Sequence, residues 1–277
     1  MMSFYDQDFP HLKIRKGDNK LESSLWIGLD NPQTRNAYSN EMVKSLVDVL
    51  RYSDHDSKIK LIVLYGEGTS FSSGGDIKAM EMKEGMFKGD SNELRLNYVH
   101  GIQTIPKTIE ELHTPLIAMV NGPAIGAGCD LATMCDLRIG SEKSKFGVTF
   151  SKLSLVPGDG GVFFLSRVVG YSKAMEMFLT GDLYQGKTAY QMGLLNYFVE
   201  NSDNLIEETE SLVSKILSNG PVALSMTKRA LKHGLKGDLS SCLDLMAAYQ
   251  GISQRTQDHF EALKAFKEKR EANFIGE

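Results

Sequence analysis

Two stretches of small residues in this 277-residue chain each lead into a carboxylate. The first, GEGTSFSSGGDIKAM, passes through Gly74 and Gly75 to Asp76. The second, PLIAMVNGPAIGAGCDLATMCD, places Gly126, Ala127 and Gly128 just ahead of Asp130. Small residues let backbone approach a ligand closely, and N–H groups at a helix N-terminus have no intrahelical partner and favour negative charge. Two such groups converging from two loops would make an oxyanion hole, a pair of fixed donors aimed at charge developing on an oxygen. Each loop alone fits a tight strand-to-helix connection equally well; their recurrence on successive units is the stronger signal. A third segment, LVPGDGG, carries Asp159 in good turn composition, where an exposed aspartate needs no chemistry.

The elements that must hold these loops read in order. His11–Arg15 and Leu25–Leu29 have strand character and are separated by Gly17-Asp18-Asn19-Lys20, which predicts a hairpin. Ser39 opens an amphipathic helix through Leu46, Val49 and Leu50, and Lys60–Tyr65 is a continuous apolar run of strand length. Strand, helix and strand in that order suggest a crossover unit. Leu116–Val120 is a second buried strand, ahead of Asn121-Gly122-Pro123, and Leu131, Met134 and Cys135 form a helical apolar pattern; Asp136 is expected to end that helix. Glu81–Glu111 reads as a surface loop and then an amphipathic helix that turns Leu96, Val99, Ile102 and Ile109 to the core, with an interruption near Pro106. Beyond Val162 come helices through Val168 and Phe178, a strand-like Leu194–Val199, and helices over Asn204–Leu217, Val222–Lys232 and Leu239–Asn273. No linker divides the chain, so one continuous domain is expected.

Composition bounds the function. With 42% hydrophobic and 24% charged residues the chain can bury a large core, and a net charge of −4 shows no broad basic face for nucleic acid or anionic lipid. Cys129, Cys135 and Cys242 have no CxxC spacing and are odd in number, which argues for free thiols in a reducing compartment. No apolar run approaches the ~20 residues that span a bilayer. Neither terminus reads as a targeting signal, so no membrane association and a cytoplasmic location are expected. GxGxxG and GxSxG motifs are absent, and six histidines show no ligand spacing, so no metal is expected. GDLYQGKT, from Gly181 to Thr188, matches the letters of a phosphate loop, but the run before it, Ala174–Leu179, reads as helix rather than the required strand.

FSSGGDIKAM, VNGPAIGAGCDLATMCD and LVPGDGG, in this order, resemble the signatures of the crotonase superfamily, which includes the enoyl-CoA hydratases and isomerases. The resemblance extends from about Leu25 to Phe274. It implies an α/β fold, a crotonase-like spiral of repeated ββα units with a helical C-terminal region. Residues 1–200 would form the core with the acyl-CoA site, and residues 201–277 the helical region for trimerisation and CoA contact. It further implies a homotrimer or a hexamer made of two trimers, an acyl-CoA thioester as substrate, and no cofactor beyond the substrate's coenzyme A moiety.

Carried over by position, the backbone N–H groups of Gly75 and Ala127 would hold the thioester carbonyl and stabilise an enolate. Of the two glutamates that the family's hydratases use, the first maps to Asp130 and the second to Phe150, which transfers no proton. Asp159 resembles in placement the acid/base aspartate of some double-bond isomerases of the superfamily. Asp130 and Asp159 are therefore expected to share the site, with Phe150 making its wall more apolar and raising a neighbouring carboxyl pKa. Coenzyme A contacts map softly to Gln33 and Arg35, to Asp76 and Ile77, and to Phe266 and Lys269, the last two often reaching a neighbouring subunit. Asp76 also fits a structural place at its helix start, Arg35 a solvated loop, and the C-terminal pair an amphipathic helix with a charged face. Phe150 favours isomerisation of a double bond, and overall similarity favours hydration. The competing class is a catalytically inactive CoA- or RNA-binding scaffold of the same fold; the acidic balance speaks against RNA.

Overall fold

The computed structural model describes residues 3–277. Strands β1 (Leu12–Lys16) and β2 (Ser24–Leu29) form the expected hairpin. After β2 the chain repeats a pattern of long strand, short strand and helix. The first unit is β2, β3 (Ala37–Tyr38) and α1 (Asn40–His55), and the second is β4 (Leu61–Gly66), β5 (Gly74–Gly75) and α2 (Ile77–Met82). Helices α3 (Ser91–His100) and α4 (Thr104–Glu111) intervene before the third unit, β6 (Leu116–Val120), β7 (Pro123–Ile125) and α5 (Ala127–Met134). Strands β8 (Leu137–Ser141) and β9 (Lys145–Gly147) follow, then α6 (Gly161–Val169) and α7 (Tyr171–Thr180). Next come β10 (Tyr184–Gln185), α8 (Gly186–Gln191), β11 (Tyr197–Val199), α9 (Leu205–Leu217), α10 (Pro221–Gly234), α11 (Leu239–Ser253) and α12 (Gln257–Glu268).

The long strands make one six-stranded sheet in the order β1-β2-β4-β6-β8-β11, parallel throughout except for the β1–β2 hairpin. The short strands make two small sheets, β10-β9-β7 and β3-β5. A bridge between Ser72 and Ala124 brings the segment ahead of β5 against β7. This layering carries the two small-residue loops of the second and third units to the same place.

The apolar runs that read as continuous in sequence are buried on both faces of the sheet, as parallel strands require. Ile62 and Leu64 of β4 join the larger core with Leu46 and Leu50 of α1 and Leu131 of α5. Leu61 and Val63 point the other way, into a second core with Trp26, Ile117, Ile139 and Leu205, Leu212 and Val213 of α9. Ser39 caps α1, accepting from the Met42 N–H at 3.1 Å. Helix α9, the first of the C-terminal segment, is thus a wall of the second core.

Several boundaries differ from the sequence reading. The segment before α4 breaks at Gly101–Gln103, and Pro106 sits in the first turn of α4, where its missing N–H costs no intrahelical bond. Leu96, expected in the core, is exposed, because α3 lies over the surface with no buried residue. The strand expected over Leu194–Val199 contains only Tyr197–Val199: Leu194 and Leu195 bond back to the Ala189 carbonyl as the exit of α8. The long C-terminal helix divides at Gln254–Thr256, where the Thr256 hydroxyl accepts from the His259 N–H and starts α12. The run before GDLYQGKT is helix α7, and Gly181 only terminates it. Among the described residues, no helix is long and apolar enough to cross a membrane.

Candidate active site

The two loops meet at Gly74. Its φ is +79°, and a Cβ built on it would lie 2.6 Å from the Ile125 carbonyl oxygen and 2.8 Å from the Ala127 nitrogen. Only a residue without a side chain allows this approach. Ser72 ties the same junction: its hydroxyl donates to the Asn36 carbonyl at 2.7 Å, and its carbonyl accepts from the Ile125 N–H at 2.9 Å. Ala127 is the first residue of α5, and among the described residues no acceptor is bonded to its N–H. Gly75 ends β5, in register with Tyr38 of β3. The helix start is therefore an unused donor beside the glycine pair.

A cavity of about 100 Å³ opens over this junction, bounded by Gly75, Ala127, Met86, Ile102, Phe150 and Asp159. Its wall is largely apolar. Phe150 stands on the 3-10 turn Thr149–Leu153, with its ring tip 4.0 Å from the position of a Cβ on Gly126. Phe150 is thus an apolar part of this wall.

Asp130 lies in the first turn of α5 and is 0% exposed, and Asp159 is 3% exposed at the entry to α6. Neither oxygen of Asp130, nor Oδ1 of Asp159, has a hydrogen-bond partner outside the pair; a proton held between them bonds one carboxyl to the other. Burial without compensation pushes the Asp130 carboxyl well above the usual carboxylate range, and the negative charge of Asp159 pushes it further. Burial also raises Asp159. The two groups titrate as a pair. A buried carboxyl pair with no outside partner is costly to keep, and pairs of perturbed carboxyls cluster at functional sites. Asp159 faces the cavity; Asp130 stands behind it, its carboxyl pressed on the Gly161 α-carbon at the start of α6.

Two tyrosines belong to this site and carried no signal in the sequence. Tyr38 is buried, and its phenol is raised well above its ordinary value by burial first and then by the charges of Asp159 and Asp130. Tyr98 lines the cavity and is raised by burial and by Asp159. A period-based reading treats both as core aromatics, since only the β3–β5 pairing and the packing of α3 bring them here.

The remaining expected residues are dispersed. Asp76 is the N-cap of α2 and accepts from the Lys78 and Ala79 N–H groups at 2.9 and 3.2 Å, so its carboxylate is engaged in a cap. Ile77 is exposed at the cavity rim. Gln33 and Arg35 are exposed on the loop Asn31–Asn36, which is held against the β5 loop by the Ser73 N–H donating to the Arg35 carbonyl at 2.9 Å. Phe266, 85% exposed, and Lys269 lie on and just after α12 and line no part of this cavity. Among the described residues no cluster of three potential metal ligands occurs.

Comparison with known proteins agrees with this architecture. Residues 20–277 match the family model described as enoyl-CoA hydratase/isomerase. The chain is 32% identical over 257 residues to a crotonyl-CoA hydratase of Syntrophomonas wolfei, covering 92% of this chain and 96% of that one. It is 34% identical over 246 residues to a short-chain-enoyl-CoA hydratase of Clostridium acetobutylicum, covering 88% and 91%. It is also 34% identical over 258 residues to the 2,3-dehydroadipyl-CoA hydratase of Escherichia coli, covering 93% and 97%. Among solved structures, an enoyl-CoA hydratase of Bacillus anthracis superposes with a TM-score of 0.88 at 29% identity, covering 96% of this chain and all of that one. The protein is a member of the crotonase superfamily, in its enoyl-CoA hydratase/isomerase family.

Proposed function

We propose that the protein isomerises the double bond of an enoyl-CoA, with Asp159 as the proton carrier. The observation that carries this reading is the pair of buried carboxyls, bonded only to each other, beside a cavity that Phe150 also lines. The thioester oxygen lies against the N–H groups of Gly75 and Ala127. Ionised Asp159 takes a proton from C2 of a 3-enoyl thioester, the electron pair moves onto the carbonyl oxygen, and the resulting dienolate is held by the two donors. Return of the proton at C4 gives the 2-enoyl product, so no water is consumed and no second external base is needed. Protonated Asp130 keeps negative charge from accumulating behind Asp159. No cofactor is required beyond the coenzyme A of the substrate.

Hydration of a 2-enoyl-CoA is the second reading, favoured by the activities in the names of the relatives. Incubation with crotonyl-CoA, 3-enoyl-CoA and 3,5-dienoyl-CoA, followed by thioester absorbance, separates the two. Turnover of the 3-enoyl or dienoyl substrates without hydration of crotonyl-CoA is the expected result. Hydration of crotonyl-CoA that survives Asp159→Asn would sink the two-aspartate assignment.

The same proposal includes assembly as a trimer or a dimer of trimers. Helix α11 has no buried residue although it carries Leu239, Leu243 and Ile252, an apolar surface suited to another copy. The chain's three unpaired thiols suit a reducing compartment such as the cytoplasm. Light scattering of the purified protein reads the mass directly.

A further inference from the structure

The cavity at Asp159 is small for an acyl chain. An apolar cavity of ~150 Å³ holds benzene, so about 100 Å³ holds roughly four carbons. Immediately outside lies a second groove of about 490 Å³, which shares with the inner cavity the walls formed by Ile77, Met80, Phe87, Tyr98, Leu153 and Leu155. Two of these side chains reach back to the reacting end: a Cβ on Gly75 would overlap the Met80 Cε and would lie 3.4 Å from the Phe87 Cζ. Met80 thus covers the glycine of the oxyanion hole while also forming part of the outer groove.

Methionine is unbranched, with three rotatable bonds and a soft thioether, and it changes rotamer at lower cost than a branched or aromatic side chain. It extends from α2, a six-residue helix with no buried residue, which ends at Lys83 in the left-handed conformation. The outer groove adds Leu94 to the apolar walls, and its charged residues, Glu81 and Lys83, are of opposite sign, so it offers no net charge to a carboxylated chain end.

Building on the acyl-CoA reading of this site, we propose that Met80 is a specificity-determining gate, which admits acyl chains longer than about four carbons into the outer groove. The substrate class is accordingly an uncharged medium-chain acyl-CoA. Met80 rests over Gly75; a short chain leaves it there, and a longer one turns it aside so that it becomes a wall of the joined chamber.

Saturated butyryl-CoA and decanoyl-CoA test this by titration calorimetry, since neither is hydrated or isomerised and the outcome is independent of which reaction the enzyme performs. Wild-type protein is expected to bind decanoyl-CoA at least about tenfold more tightly than butyryl-CoA, because the additional methylenes leave water. Met80→Trp, which fills the passage, is expected to reduce that ratio by about tenfold. Leu94→Arg, which alters only the outer groove, reduces it in the same direction and serves if the tryptophan variant does not fold. Equal affinity of the wild type for the two thioesters overturns the proposal. So does a parallel loss for both in Met80→Trp, which would make the outer groove the passage for the pantetheine arm. Failure of 3-enoyl-CoA turnover would overturn the isomerase reading and leave this ratio intact.

Discussion

The carboxyl of Asp130 is pressed against the α-carbon of Gly161, so closely that a methyl group there would overlap Cγ and both oxygens. The contact joins the start of α6 to the first turn of α5, and it explains the last glycine of the PGDGG segment by close approach. Gly161→Ala must displace the carboxyl. Displacement of a catalytic pair by about 1 Å costs on the order of 10²-fold in kcat, and this loss is expected in a folded protein. In an Asp130→Ala background the same substitution should cost far less, because the group it collides with is gone. Equal losses in both backgrounds would show that Gly161 acts elsewhere.

The raised pair sets the acid limb of the pH profile. As the proposed proton carrier, Asp159 would act as a base only when ionised, and burial lifts its pKa above the ordinary aspartate value of about 3.9. Activity is therefore expected to fall, as pH decreases, at a pH clearly above that of an exposed carboxylate. A plateau in kcat/KM that extends down to about pH 4 would contradict this.

The same carboxyls affect stability in the opposite sense to an ion-paired aspartate. Their folded-state pKa values lie above the unfolded one, so the native state binds more protons, and its stability falls as pH rises from about 4 through the native pKa. Asp130→Asn removes one group's share of that slope, at most about 1.4 kcal/mol per pH unit. Thermal melts of wild type and variant at pH 5 and pH 8 are expected to show the variant gaining relative stability at the higher pH.

Gly74 controls the distance between the two loops. Alanine there combines a disfavoured φ of +79° with contacts of 2.6 and 2.8 Å to backbone atoms of Ile125 and Ala127. The strain costs about 1–3 kcal/mol. Loss of one aligned donor lowers kcat by about 10²–10³-fold. Steady-state kinetics beside a denaturant melt separates the two effects; a folded Gly74→Ala enzyme with unchanged kcat would show that this junction does not set the oxyanion geometry.

Asn36 is a residue of the scaffold. Fully buried at a φ of +58°, its Nδ2 donates to the carbonyls of Glu67 and Ser70 at 3.0 and 2.9 Å, and its Oδ1 accepts from the Asn31 N–H at 2.9 Å. Asn36→Ala leaves these buried backbone groups unpartnered, a cost of about 2–3 kcal/mol by chemical denaturation. Asn36→Gly should relieve the backbone conformation and still lose most of that stability.

Local pattern in the sequence determined the hairpin, the buried strands at Leu61 and Leu116, the capped start of α1 at Ser39, and the two small-residue loops as strand-to-helix connections. Each of these follows from side-chain period, turn composition or an orphan N–H, which neighbouring residues decide among themselves. The order of three motifs also identified the superfamily and singled out Asp130, Phe150 and Asp159. Tertiary structure alone decided that Asp130 and Asp159 are buried with no partner but each other, that Tyr38 and Tyr98 stand beside them, and that Met80 covers Gly75. A carboxyl's pKa is set by solvent exclusion and by charges from other elements, and a cavity by walls from α2, α3 and the turn at Phe150 that are distant in the chain. Those quantities exist only once the sheet has brought its loops to one edge.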